Sequence, residues 1–386
     1  MASSPPMQWI DTDADLRALL VQVSGEPAYA LDTEFHGERS YWPRLALVQL
    51  AWLGGVALVD PLAVDMRALC ALLAGTATMV AHAADQDLAI LERLCGRPPS
   101  ALFDTQVAAG FLGMGAPSLA VLVERVLGVR LAKGDRLTDW TVRPLRAEQQ
   151  RYAVADVEYL LPLRDALTEQ LEGEGRLQWA LDECEMRRTR DRTRAEIETA
   201  WWKIKGARQL RGKSRGIAQE LAAWRERTAE SLDVPPRFVL SDLALAAAVH
   251  RAPRTRDDLS GIRGMEGRHL RNGAAAEILR AVEVGSELEP DRLRLPATER
   301  VDRSLQPAVT VVSAWLAQRA DELRLDPTVL ATRADVALFL ERGEGRLASG
   351  WRADLVGQPL RRLLSGEATI ALANGGRRLK LEGRDR

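Results

Sequence analysis

This 386-residue chain is poor in cysteine and histidine, the residues from which disulfide frameworks and zinc sites are built. Its three cysteines, Cys70, Cys95 and Cys184, are too few and too scattered for a disulfide framework or a zinc site, which fits a reducing cytoplasm. Four histidines, His36, His82, His250 and His269, show no metal-ligand spacing. No stretch approaches the length of a membrane span. Residues Met1–Pro6 lack the basic-then-apolar order of a signal peptide. The expectation is a cytoplasmic protein with no membrane partner, working as a monomer. Lysine is scarce beside arginine, which reads as coding bias. Net charge is nearly absent too, at −1, but its distribution is uneven. Residues 1–200 hold 29 acids against 20 bases, and residues 201–386 hold 25 against 33. An acidic half suits cations and a basic half suits polyanions.

The chain is long enough for two or three domains. From Ala28 to about Pro61 apolar runs read as strands, with Gly54-Gly55 as a hairpin turn. Helices are predicted over Met66–Leu73, Asp85–Leu94, from Phe103 to Leu112, Ser118–Leu127 and, as one long pattern, Arg146–Thr168, with a short strand at Thr78–Ala81. Strands interleaved with helices indicate one α/β domain to about residue 175. Beyond it the strand signal fades and basic helical patterns follow. Ala223-Trp224, Ala229, Leu232, Val234, Pro236 and Val239 recur 91 residues on as Ala314-Trp315, Ala320, Leu323, Leu325, Pro327 and Leu330, the mark of a duplicated helical module. Asn374-Gly375 predicts a terminal hairpin.

Three acidic segments carry the chemistry. Asp32 and Glu34 end an apolar run, and residues i and i+2 of a strand point the same way. Two carboxylates so placed repel unless a cation lies between them. Asp87 stands at a helix start just after a strand. Tyr152 and Asp156 lie one helical turn apart on one face. Four carboxylates and a phenol are what two-metal phosphodiester hydrolysis needs, with oxygen ligands that suit Mg²⁺ or Mn²⁺.

These motifs, in this order, resemble the ribonuclease D family, within the DEDD exonuclease superfamily of the tyrosine type. The matching stretches are Leu31–Phe35 continuing to Tyr41–Leu50, then His82–Leu88, Thr138–Trp140 with Arg143–Leu145, and Tyr152–Leu163. The resemblance implies an α/β ribonuclease-H-like exonuclease domain followed by two all-α HRDC-like domains. It further implies 3′→5′ hydrolysis of RNA, trimming structured 3′ ends such as those of tRNA precursors. By carry-over, Asp32, Glu34, Asp87 and Asp156 hold two Mg²⁺ or Mn²⁺ ions, with Glu34 also catalytic, and Tyr152 positions the water. Ala83 departs from the Asn the superfamily often has there. Asp85 competes with Asp87, and the family spacing favours Asp87, leaving Asp85 as a helix cap. A 3′→5′ DNA exonuclease would share every catalytic residue. A non-catalytic RNA-binding protein on the same scaffold is the third reading.

The resemblance places the exonuclease domain at residues 1–198, an HRDC domain at 199–285, a linker at 286–302 and a diverged HRDC-like copy at 303–386. The run from Trp201 to Gly216 has six bases and no acid, and beside a nuclease domain Lys203, Lys205, Arg208, Arg211, Lys213 and Arg215 read as RNA-phosphate contacts, with tryptophans for packing or base stacking. Lys133, Arg136 and Arg143 are further phosphate candidates, and Trp140 packs or stacks on RNA. His36 is a substrate-side residue and His82 orients local backbone. Trp224 and Trp315 read as core.

Overall fold

The protein is described here from a computed structural model, in which residues 7–132, 138–192, 197–271, 273–295 and 303–384 are described. In chain order the first elements are β1 (Met7–Ile10), α1 (Asp13–Ser24), β2 (Ala28–His36), β3 (Arg44–Trp52), β4 (Gly55–Val59), α2 (Leu69–Ala74), β5 (Thr78–Ala81), α3 (Asp85–Cys95) and β6 (Leu102–Asp104). Helices α4 (Thr105–Gly110), α5 (Leu119–Leu127), α6 (Ala147–Glu158), α7 (Leu160–Gly173) and α8 (Leu177–Arg188) follow. Six strands form one mixed sheet in the order β1-β4-β3-β2-β5-β6. β3 and β4 are antiparallel, whereas β2–β5 and β5–β6 pair in parallel.

Period-two alternation sorts the side chains of β2 between two cores. Tyr29 and Leu31 join a cluster with Leu16, Leu19, Leu69, Leu88 and Leu91 from α1, α2 and α3. Ala28 and Ala30 join the opposite cluster, with Val157, Leu160, Leu163 and Leu167. Asp32 and Glu34 continue the second parity, so the acids open onto the side covered by α6.

Several expectations needed revision. Phe103 and Asp104 end a strand instead of opening a helix, because Asp104 is the N-cap of α4, accepting from Gln106 and Val107 amides. The long pattern from Arg146 is two helices broken at Tyr159, since Pro162 has no amide hydrogen and its ring crowds the preceding turn. Cys70 and Cys95 are joined as a disulfide with a Cα separation of 5.3 Å, although 25 residues part them in sequence. Cys184 is free and buried.

The chain divides into two compact units. One comprises residues 1–35, 45–190 and 301–386, the other 36–44 and 191–300. In the second, α9 (Lys213–Ser231), α10 (Pro236–Val239), α11 (Asp242–Arg251), α12 (Arg256–Ser260) and α13 (Ala274–Ser286) enclose a core that includes Trp201, Leu221, Trp224 and Ile278. α9 and α13 cross at Gly216 and Gly285, where a Cβ on Gly216 would meet the Gly285 carbonyl oxygen at 2.2 Å. Asp233 accepts from the Tyr41 amide at 3.2 Å within this unit. The basic run 201–216 is largely 3₁₀ turns rather than α-helix until α9 begins at Lys213.

The C-terminal helices α14 (Gln306–Leu323), α15 (Pro327–Leu330) and α16 (Arg333–Arg342) lie 91 residues beyond their counterparts: α15 matches α10 and α16 matches α11 residue for residue. The two copies then diverge. α17 (Gly350–Arg352) and α18 (Gln358–Leu364) lead to a hairpin of β7 (Ala368–Ala373) and β8 (Arg378–Gly383), whose turn includes Asn374 and Gly375. These helices share one hydrophobic core with α4, α7 and α8. Trp351 stacks on Trp179 at 5.2 Å and meets Phe111 edge-on at 5.3 Å. Glu183 of α8 takes ion pairs from Arg346, at 2.6 Å, and from Arg352. Among the described residues no helix is long and apolar enough to cross a membrane.

Candidate active site

Asp32 and Glu34 of β2 and Asp156 of α6 each bring a carboxylate oxygen within 4.8 Å of the others. Asp87, in the first turn of α3, is 6% exposed and accepts from Thr33 Oγ1 at 2.5 Å. Thr33 lies between the two β2 acids, so this bond ties α3 to that strand. Asp85 faces elsewhere, half-exposed and 3.6 Å from Arg187. Of the two acids, Asp87 is therefore the one turned toward β2. Tyr152 sits one turn before Asp156 on α6, its ring 6.0 Å from that of Trp140.

The electrostatics follow from crowding like charges in a poorly solvated cleft. Burial, reinforced by Asp87, Asp156 and Glu34, holds the Asp32 carboxyl well above the usual range. Burial and then the Asp156 and Asp87 charges push Glu34 up to about 8. Burial also raises Asp87 to about 6 against the lowering effect of its Thr33 hydrogen bond. Carboxylates arranged this way ionise together only against positive charge, and an all-oxygen donor set fits hard divalent cations.

The remaining candidates divide sharply. Trp140 is 3% exposed, packed among Ala46, Leu47, Leu58, Leu145 and Ala153, so it packs and offers no face to a base. Arg143 is held within the domain. Its guanidinium binds both oxygens of Asp60 at 2.7 Å and also donates to the Ala46 carbonyl at 2.7 Å, so its donors are spent inside the domain. Lys133 and Arg136 lie outside the described residues. His82 bridges Thr105 Oγ1, at 2.9 Å, and the Pro117 carbonyl, at 3.1 Å, and burial lowers its pKa. His36 closes β2 two residues past Glu34.

In the basic run, Lys203, Lys205, Arg208, Arg211 and Lys213 are exposed and Arg215 is half-buried. Arg211 donates to the Arg208 and Leu210 carbonyls, Arg215 donates to Leu210, and Arg208 lies 5.9 Å over the Trp202 ring. Trp201 is fully buried and donates to the Arg294 carbonyl, so it packs and does not stack on bases. Trp224 and Trp315 are core.

Two residues escaped the sequence reading. Thr33 was legible only as the odd position between two acids. Asp104 was covered only by a helical stretch expected from Phe103, which said nothing of its carboxylate accepting from the amides of Ala83 and Ala84.

The 3′-5′ exonuclease family matches residues 7–172, and the HRDC domain family matches 214–282. Ribonuclease D of Acidiphilium cryptum is 34% identical over 98% of this chain and 98% of its own. Escherichia coli ribonuclease D is 34% identical over 92% of this chain and 98% of its own. The crystal structure of Escherichia coli RNase D superposes with a TM-score of 0.81 at 32% identity, covering 94% of this chain and 99% of that one. The catalytic core of RRP6 from Trypanosoma brucei reaches a TM-score of 0.61 at 25% identity, over 75% of this chain and 82% of that core. With relatives of this similarity along nearly its whole length, the chain belongs to the ribonuclease D family.

Proposed function

We propose that this 3′→5′ exoribonuclease works with two divalent ions and trims the 3′ ends of structured RNA, tRNA precursors among them. The observation that carries the reading is the convergence of Asp32, Glu34 and Asp156 oxygens within 4.8 Å, from a strand and a helix far apart in sequence. Asp32, Glu34, Asp87 and Asp156 would hold Mg²⁺ or Mn²⁺. When bound, such ions supply an acidified water and charge stabilisation for the leaving oxygen. Tyr152 would accept or donate a hydrogen bond at the attacking water and so fix its direction of approach. Glu34, with its raised pKa, is suited to hold a proton near that water.

The exposed bases Lys203, Lys205, Arg208, Arg211 and Lys213, with Arg215, would bear on RNA phosphates, a contribution that fades as salt rises. The working division is an exonuclease domain over residues 1–198, an HRDC domain over 199–285, a linker at 286–302 and an HRDC-like copy over 303–386. We take the protein to act as a monomer in the cytoplasm.

The test is degradation of a 5′-labelled tRNA precursor and of matched single-stranded RNA and DNA oligomers, with and without divalent ion. A ladder shortening from the unlabelled end of RNA, dependent on the ion, is expected. Cleavage that persists in chelator refutes the metal reading, and preference for DNA refutes the substrate reading.

A further inference from the structure

Helix α3 carries Asp87, yet its N-terminus has no capping side chain of its own. The residues before it are Ala83 and Ala84, neither with a side-chain acceptor, and the amides of this turn leading into the helix take a partner from elsewhere. That partner comes from the end of β6. Asp104, wholly buried, accepts from the Ala83 amide at 3.1 Å through Oδ1 and from the Ala84 amide at 3.0 Å through Oδ2. The same carboxylate caps α4, and Arg187 of α8 balances its charge at 3.2 Å.

The turn so held is strained. Ala83 has φ +58°, in the left-handed region that residues other than Gly, Asn and Asp seldom adopt. Such a conformation persists only where surrounding structure over-determines it. From the other side, Asp87 is pinned by Thr33, between Asp32 and Glu34. A short chain of hydrogen bonds and backbone thus runs from Asp104 through Ala83-Ala84 and Asp87 to the two acids of β2.

We propose that Asp104 is a positioning residue: through the Ala83-Ala84 turn it sets where Asp87 stands relative to Asp32, Glu34 and Asp156, and hence how tightly the four hold divalent ions. The inference rests on the metal site proposed above. It assigns Asp104 no contact with RNA and no proton of its own to move.

Asp104→Asn tests it, because the amide keeps the shape but turns an NH₂ toward amides that need an acceptor. In the full chain, Mn²⁺ affinity measured by calorimetry is expected to fall by about tenfold or more. The kcat on single-stranded RNA should fall with it, while the KM for RNA stays within about twofold. Adding Ala83→Gly to that variant should restore part of the Mn²⁺ affinity, since glycine adopts the turn without the clamp. A lowered Tm with unchanged Mn²⁺ affinity would mean a merely structural role and overturns the proposal. Should Asp104→Asn not fold, Ala83→Val strains the same turn with Asp104 intact. It is expected to weaken Mn²⁺ binding, and unaltered binding there also overturns the proposal. A wild-type chain that binds no Mn²⁺ refutes the metal site itself and this inference with it.

Discussion

Replacing Trp351 by alanine should destabilise the exonuclease fold, although the residue lies far from the acids in sequence. Trp351 is 8% exposed, stacks on Trp179 at 5.2 Å with 15° between ring planes, and meets Phe111 at 5.3 Å. The Arg352 guanidinium covers its ring at 4.2 Å. Truncating a buried tryptophan to alanine costs about 3–5 kcal/mol through forfeited transfer energy and the cavity left behind. Ring–ring geometry adds about 0.5–1.5 kcal/mol beyond area for each aromatic pair. Two such pairs place Trp351→Ala near the top of the first range, at about 4–5 kcal/mol. Trp351→Phe, which keeps an aromatic ring, should be far milder. Urea unfolding followed by circular dichroism, with residues 301–386 present, measures both. A loss under about 1 kcal/mol, typical of a surface site, would refute the shared core. So would a variant in which only a separate low-urea transition moves.

Arg143→Met should cost about 3–5 kcal/mol by stranding the Asp60 carboxylate, which is only 7% exposed, while leaving the salt dependence of RNA binding unchanged. A flatter salt dependence with intact stability would instead make Arg143 a phosphate contact. In chelator, Glu34 holds its proton in the folded state up to about 8, against 4.5 for the ordinary group. The folded state therefore binds the extra proton, and this contribution, complete below about 4.5, is lost as pH rises through about 8. Asp32 and Asp87 act in the same direction. The Tm of the metal-free chain should accordingly fall across that window and flatten when Mn²⁺ is added, whereas a Tm rising with pH contradicts the assignment. Combining Lys203→Ala, Lys205→Ala and Lys213→Ala should weaken RNA binding and reduce the salt slope by about 0.7 for each phosphate no longer neutralised, with kcat at saturating RNA unchanged. An unaltered slope would remove these lysines from the RNA surface.

Legibility in the sequence followed the range of the interaction. The parity of β2 and the one-turn spacing of Tyr152 and Asp156 are local rules that pair Asp32 with Glu34 and Tyr152 with Asp156, whereas the meeting of β2 and α6 was implied by the family resemblance. The 91-residue echo was equally readable, because a repeat compares the chain with itself. Arg143 and Trp140 looked like RNA contacts because an isolated base or ring carries no sign of what it meets. Asp60, which occupies Arg143, is 83 residues away. Asp104 was passed over for the same reason. Its strand has only three residues, and its most consequential partners, Ala83 and Ala84, lie on the far side of α3 in sequence. The packing of residues 306–360 into the exonuclease core left no periodic signature, since an amphipathic helix shows that it has an apolar face but not which neighbour covers it.

The central claim is that acids from β2, α3 and α6 act together on divalent ions, and Asp32→Ala tests it most directly. Mn²⁺ binding, RNA affinity and hydrolysis should be measured side by side on the same preparation. Stoichiometric Mn²⁺ binding by the wild type, its loss in the variant, retained RNA affinity and abolished hydrolysis are expected. Undiminished cleavage by the variant would contradict the account.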